Sequence, residues 1–161
     1  GEMALTGRDW LALGAFMLAC ALTSGLGGVA TATSVNSWYQ TLAKPAFNPP
    51  DWLFAPVWTV IFILIALAGW RVWRRRHAPG GTLALGLYAL QLLLNVLWSV
   101  LFFGARAPAA ALVEIVLLLT VVLIVLELFR RLDTLAALLF LPYPLWVGFA
   151  TVLNAAIVVL N

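Results

Sequence analysis

Five apolar stretches divide this 161-residue chain, at about 10–32, 52–73, 83–103, 109–129 and 135–159. Each is about the 20 residues that a helix needs to cross a bilayer core of about 30 Å. Lipid offers no water to a backbone donor or acceptor, so stretches of this kind are viable only as helices or as strands of a closed barrel. Barrel strands alternate polar and apolar residues, and no such alternation is present. The expected fold is all-α: an integral membrane bundle of five transmembrane helices, forming a single transmembrane domain over 1–161, with a structured first loop, 34–51, acting as a lid. Composition agrees, with 65% hydrophobic and 9% charged residues where a soluble domain carries about 25% charged.

Charge sets orientation rather than partner. The net charge of +3 arises mainly beside an apolar run, at Arg71, Arg74, Arg75 and Arg76, so topology explains it better than nucleic-acid binding. Arg8, the second loop and the fourth loop, with Arg130 and Arg131, share one side of the membrane; the other has Lys44 and Arg106. Where the positive-inside rule holds, the N-terminus is cytoplasmic and the first loop faces out, which suits a multi-pass protein of a bacterial cell envelope. The 10–22 run with Ala30-Thr31-Ala32 resembles a secretory signal, but the apolar run exceeds signal length. Cys20 is the single cysteine, so no internal disulfide is possible.

Connections at 74–82, 104–108 and 130–134 are short, which places consecutive helices antiparallel and side by side. The first connection is longer and unusual. Between Trp38 and Thr59 it holds Trp38, Tyr39, Phe47, Trp52 and Trp58 together with Pro45, Pro49, Pro50 and Pro56. Ser37 and Gln40 have capping-box spacing, predicting a short helix with Trp38, Tyr39 and Leu42. Asn48-Pro49-Pro50 is extended, because residues before proline avoid the helical region, and Asp51 is placed to cap span two. An aromatic interface belt accounts for Trp10, Trp70 and Trp73, but not for prolines stiffening several aromatics together.

Polar residues inside spans carry the functional signal. Gln91, Asn95 and Ser99 recur at spacing four with Tyr88 and Trp98 alongside, and amides in hydrocarbon require partners, so this stripe faces inward. It is either interhelical glue or a binding wall, and its two amides and two aromatics favour the wall. Ala15, Ala19, Thr23 and Gly27 form a small-residue stripe for close helix approach. Glu114 is the acidic group expected to be buried, a functional candidate by its depth, while Glu127 is placed to pair with Arg131 near the edge. Pro142 and Pro144 each remove a donor, freeing the carbonyls of Leu138 and Phe140 and kinking span five. Trp146 lies too deep for a belt, and Thr151 and Asn154 add interior polar groups.

These residues resemble the tryptophan-rich sensory protein and translocator protein family, the peripheral benzodiazepine receptors and their bacterial relatives. The matching motifs are Trp38-Tyr39-x-x-Leu42-x-Lys44-Pro45-x-x-Asn48-Pro49-Pro50-x-Trp52, Pro56-x-Trp58-Thr59, Gln91-x-x-x-Asn95-x-x-Trp98-Ser99 with Phe102-Phe103, and Pro142-Tyr143-x-x-Trp146-x-x-x-Ala150-Thr151-x-Leu153-Asn154. The resemblance implies a bundle that is commonly a homodimer, with a pocket closed by the first loop, binding porphyrins such as protoporphyrin IX, sterols and benzodiazepine-type ligands. Carried over by motif, the ligand-binding residues are Trp38, Tyr39, Phe47, Trp58, Gln91, Asn95, Trp98, Trp146 and Ala150, with Lys44 placed to meet a propionate. One departure stands out. Vertebrate members continue past Leu-Asn into a cholesterol motif that needs Tyr and Lys or Arg; here Ala155-Ala156-Ile157-Val158 follow.

Three functions are distinguishable. The leading one is a membrane receptor or carrier that senses, sequesters or moves porphyrins. An enzyme is the second: no metal cluster, Ser-His-Asp set or phosphate loop is present, and His77 lies in a basic loop. No cofactor is obligatory, and the chemistry left is light-driven porphyrin degradation with Trp58, Trp98 or Trp146 as reacting neighbours. The third is a channel or secondary transporter, for which neither an inverted repeat of broken helices nor a row of charges is visible; a sterol or lipid transporter is a further alternative.

Overall fold

The computed structural model describes residues 4–161. Helix α1 spans Gly7–Ala32, α2 Asp51–Trp73, α3 Gly81–Ser99, α4 Pro108–Leu132, α5 Thr134–Phe140 and α6 Pro142–Leu160. A π-helical turn, Val100–Gly104, prolongs α3, and α5 with α6 makes one span, giving five helices long and apolar enough to cross a membrane. These helices begin and end within a few residues of the five apolar stretches, and no strand occurs among the described residues.

Each helix end has a local cause. Thr6 and Asp9 form a capping box at the start of α1, satisfying two donors left open there. Pro108 opens α4 and Pro142 opens α6, positions where a missing N–H costs little. The expected kink of span five is therefore a helix boundary. The chain passes Leu141 with helical dihedrals, φ −55° and ψ −40°, so the interruption lies mainly in the hydrogen bonding. Pro56, by contrast, sits inside α2.

Two features hold the arginine-bearing end together. Trp10 stacks on Trp70 at 6.1 Å, and the Trp70 indole N–H donates to the Asp9 carbonyl at 2.8 Å. Arg71 pairs with buried Asp133 across 2.7 Å. Burial alone would raise the Asp133 carboxyl, but the bonded Arg71 guanidinium, the nearby Arg75 charge and the Leu135 N–H together offset it and hold the group below its ordinary range. Asp133 is thus a second buried acid beside Glu114, in a position the sequence reading left to the loop. Glu127 binds Arg131 as expected, at 3.2 Å, and Arg130 more closely at 2.6 Å.

The core runs along the bundle axis through α2, α3, α4 and the fifth span, with Ile65, Val72, Val122, Phe129 and Phe140 fully buried. Helix α1 contributes least to it, burying Cys20 and Thr23. Of its small-residue stripe, Ala15 is exposed and Thr23 buried, while Gly27 approaches Ser99 so closely that a Cβ there would lie 3.3 Å from Ser99 Oγ. The stripe's inner end is an intramolecular contact.

Candidate functional site

The loop before α2 is tied down at several points. The expected short helix after Ser37 is a single 3-10 turn, Trp38–Thr41, which stops before Leu42, and the Ser37 side chain makes no cap bond. Gln40 instead donates to Asp51 Oδ2 at 2.7 Å and to the Val35 carbonyl at 3.0 Å. Asp51 does not cap α2; Pro50 occupies that position, with no side-chain bond. A partner distant in sequence has outcompeted the local one. Tyr39 is the loop's buried anchor, packed on Phe102 and Phe103 at 6.1 and 5.5 Å, with its hydroxyl donating to Asn48 Oδ1 at 3.0 Å. Burial, with the nearby Asp51 charge, pushes the Tyr39 phenol up to about 12. Lys44 donates to the carbonyls of Tyr39 and Leu42 and lies over the Tyr39 ring, so its ammonium braces the loop from within.

The π-helical turn beneath the loop follows from the same fit. Ala105 donates five residues back to Val100 O at 2.7 Å, widening the helix, and both Phe102 and Phe103 turn inward and are buried. The Phe103 carbonyl is met from outside the helix, by Ser34 Oγ at 2.7 Å. Such single wide turns occur frequently at functional sites.

Below the loop lies a cavity of about 520 Å³, within the range of small-molecule sites, about 300–1,000 Å³. Its aromatic walls are Phe54, Trp58 and Phe62 from α2, Trp98 and Phe102 from α3, and Trp146 from α6, with Tyr39 above. Helix α1 supplies the opposite side through Ser24, Gly27, Gly28 and Thr31. The exposed lining residues are Gly28, Ala32, Asn36, Asp51, Trp52, Ala55 and Thr59. All belong to the end of α1, the start of α2 or the loop after α1, so the cavity opens between those helices.

Of the residues singled out by sequence, Tyr39, Trp58, Asn95, Trp98, Trp146 and Ala150 come together in this wall. Trp38, Phe47 and Gln91 do not. Trp38 packs on Phe102 at 5.8 Å, and half-exposed Phe47 rests on Phe149 at 6.2 Å. Gln91 is fully buried one turn from Asn95, where Tyr143 reaches between them. The Asn95 amide donates to Tyr143 Oη at 2.8 Å, and that hydroxyl donates to Gln91 Oε1 at 2.7 Å. Gln91 is thus part of the glue that its stripe also predicted. Trp98 Nε1 donates to Asn154 Oδ1 at 3.0 Å, and Asn154 Nδ2 donates to the Pro108 carbonyl at 2.9 Å. Phe54 and Phe62 escaped the sequence reading, although their spacing of four on either side of Trp58 signals one helix face.

Three buried groups lack partners among the described residues: the Gln91 Nε2 amide, the Glu114 carboxyl and the Trp146 indole N–H. The Trp146 indole N–H is buried in the cavity wall and bonds to nothing among the described residues. Glu114, on the inward face of α4 but outside the wall, is buried with both carboxyl oxygens unbonded. No group of three His, Cys, Asp or Glu residues able to hold a metal occurs among the described residues. Trp58 and Trp146 meet edge to face, 6.2 Å between centroids.

A family model described as the TspO/MBR family matches residues 15–160. The chain belongs to the TspO/MBR family. It is 41% identical over 152 residues to the tryptophan-rich protein TspO of Chlorobaculum tepidum, covering 91% of this chain and 94% of that one. The tryptophan-rich sensory protein of Cereibacter sphaeroides is 37% identical across 95% of this chain and 93% of its own length. The translocator protein of Homo sapiens is 33% identical across 90% of this chain and 87% of its own. This TspO/MBR member is an integral, multi-pass membrane protein by family and by its five apolar helices.

Proposed function

We propose that the protein is a membrane receptor or carrier that binds porphyrins of the protoporphyrin IX type in the cavity between α1, α2, α3 and α6. The observation that carries this reading is the cavity itself, about 520 Å³ with the rings of Phe54, Trp58, Trp98 and Trp146 in its wall. A flat aromatic ligand with polar edges suits such a wall, because it can stack on the indoles while its edges meet polar lining residues such as Asn95. Each such aromatic pair adds about 0.5–1.5 kcal/mol beyond burial. The names of the relatives, sensory protein and translocator protein, fit sensing or movement of such a ligand. As part of this reading the protein works as a homodimer in the cell envelope, with its arginine-bearing end in the cytoplasm.

Titration of the purified protein with protoporphyrin IX, followed by tryptophan fluorescence, tests it. Saturable quenching is expected, weakened by Trp146→Phe and by Asn95→Ala. Quenching that never saturates, or that ignores both substitutions, refutes the pocket.

The edge-to-face contact of Trp58 and Trp146 favours a second reading, in which bound porphyrin under light is the photosensitiser of its own oxidation, with dioxygen as the oxidant that is reduced and the wall indoles as reacting neighbours. Here the ligand supplies the photochemistry and the protein positions it. Illuminating the complex distinguishes the two: porphyrin loss that is the same in Trp58→Phe, Trp98→Phe and Trp146→Phe removes the enzymatic reading. A sterol or lipid carrier is a third, and it lacks support from the C-terminal residues Ala155-Ala156-Ile157-Val158.

A further inference from the structure

The opposite end of the bundle carries a second concavity, of about 490 Å³, between the α2–α3 loop and the last turn of α4. Arg74, Arg75 and His77 line one side and Arg131 with Leu132 the other. Three arginines and a histidine from two separate elements therefore face one space. Arg75 Nη1 donates to the Leu132 carbonyl at 3.3 Å, which ties the loop to α4. A guanidinium carries five donors, and no carboxylate lies within ion-pair distance of Arg75 or His77 among the described residues. Nearby acids neutralise the cleft only in part, leaving Arg75 without an ion pair among the described residues. Asp133 is held by Arg71, Asp9 lies 3.9 Å from Arg74, and Glu127 is divided between Arg130 and Arg131.

We infer that this cleft binds the phosphate of an anionic phospholipid from the leaflet at the arginine-bearing end. A phosphate oxyanion is the ligand that several converging guanidinium groups recognise, because their planar forks match its oxygens. Its source is a lipid because of where the cleft lies. It sits where α2 and α4 leave the membrane-spanning region, at the level marked by Trp70 and Trp73, which is headgroup depth. Leu132, Ala78 and Pro79 give it an apolar flank, which suits a glycerol backbone better than a freely hydrated ion. Basic pockets at helix ends on one face of a membrane protein have the chemistry to hold such headgroups. The site is independent of the porphyrin cavity, which lies at the other end of the bundle.

The test places the full chain in nanodiscs of phosphatidylcholine holding a small fraction of spin-labelled phosphatidylglycerol, and measures the motionally restricted label by electron spin resonance. Wild type should enrich phosphatidylglycerol at its surface. The double variant Arg75→Gln with Arg131→Gln should lose that preference by about tenfold. Ala78→Glu keeps both arginines and adds a carboxylate to the cleft, so it should lose as much; it guards against loss through loosening of the loop. Arg106→Gln, at the far end, should change nothing. Inorganic phosphate added to wild type should not displace the label. The inference is overturned if the cleft variants retain the preference, or if Arg106→Gln weakens it equally, which would make it a diffuse field. It is also overturned if phosphate binds in pure phosphatidylcholine discs with the same dependence on Arg75 and Arg131, which would assign the cleft to a soluble anion.

Discussion

The two ends of this bundle use the same residue types to opposite effect. Toward the arginine-bearing end, Tyr88 is clamped between aromatic neighbours, stacked on Phe129 at 5.9 Å and edge-on to Phe16 at 5.7 Å. Its hydroxyl donates to the Ile65 carbonyl at 2.8 Å. Gly69 makes room for it, since a Cβ there would fall 2.5 Å from Tyr88 Cζ. Toward the lid, Trp58, Trp98 and Trp146 stand around open space, and Gly28 opposite them has no atom within 4 Å of a built Cβ. Glycine admits a ring at one end and withholds a wall at the other. The lid end also holds Pro56 inside α2 and the wide Val100–Gly104 turn, whereas the break at Leu141 lies nearer the arginine-bearing end. Inside a bilayer no hydrophobic force squeezes helices together, and they associate by packing and hydrogen bonds. Irregular backbone around rigid rings can therefore keep a cavity open that water would help to collapse.

The largest effect that separates the ends comes from a pair of glycine substitutions. Gly69→Ala should destabilise the bundle by about 3 kcal/mol, the upper part of the overpacking range, because the locked Tyr88 ring has nowhere to go. Gly28→Leu should leave the melting temperature in detergent unchanged while weakening protoporphyrin IX binding by about tenfold, or about 1.4 kcal/mol. Thermal melting and fluorescence titration on both variants check this. Equal melting temperatures for Gly69→Ala and wild type would mean that the packed end is looser than its contacts show.

A smaller effect is expected where the two ends meet. Tyr143 joins Asn95 of the cavity wall to Gln91 of the core. Tyr143→Phe removes an acceptor from one amide and a donor from the other. The cost should be about 1–2 kcal/mol, above the average of about 0.6 kcal/mol for one interhelical bond, since two partners are stranded. If the site and the core are coupled through this hydroxyl, porphyrin affinity should fall along with the melting temperature. A fall in melting temperature alone would confine Tyr143 to the core.

How much of this was legible in sequence depends on the range of the interactions. The spans were readable because an apolar run of about 20 residues has a single solution in lipid. The inward stripe of Gln91, Asn95 and Ser99 was readable because an amide facing hydrocarbon is too costly. The division of that stripe between wall and glue was not, because it depends on Tyr143 arriving from another helix. The wide turn at Val100–Gly104 depends likewise on Ser34, 69 residues away, to receive the Phe103 carbonyl. The capping box at Ser37 had the right local spacing and still failed: the Ser37 N–H donates to the Ser34 carbonyl, and the Gln40 side chain is turned away to donate to Asp51. Local patterns held where nothing distant competed with them.

The smallest effect is confined to the lid and separates it from the rest of the molecule by pH. Tyr39 is held neutral by burial, with its phenol at about 12 against about 10 for an unburied one. A folded value above the unfolded one means that its contribution to lid closure is complete below pH about 10 and is lost as pH rises toward 12. Asp51, whose charge adds to the shift, is on the adjacent start of α2, so ionised Tyr39 would face a carboxylate as well as the Phe102 and Phe103 rings. The lid should therefore loosen between those values while the packed end keeps its helices. Limited proteolysis near Lys44 as a function of pH would register the loosening, with circular dichroism as the control for the helices. Tyr39→Phe cannot ionise, so it should abolish the alkaline step. If the variant opens over the same pH interval, Tyr39 is not the group that holds the lid shut.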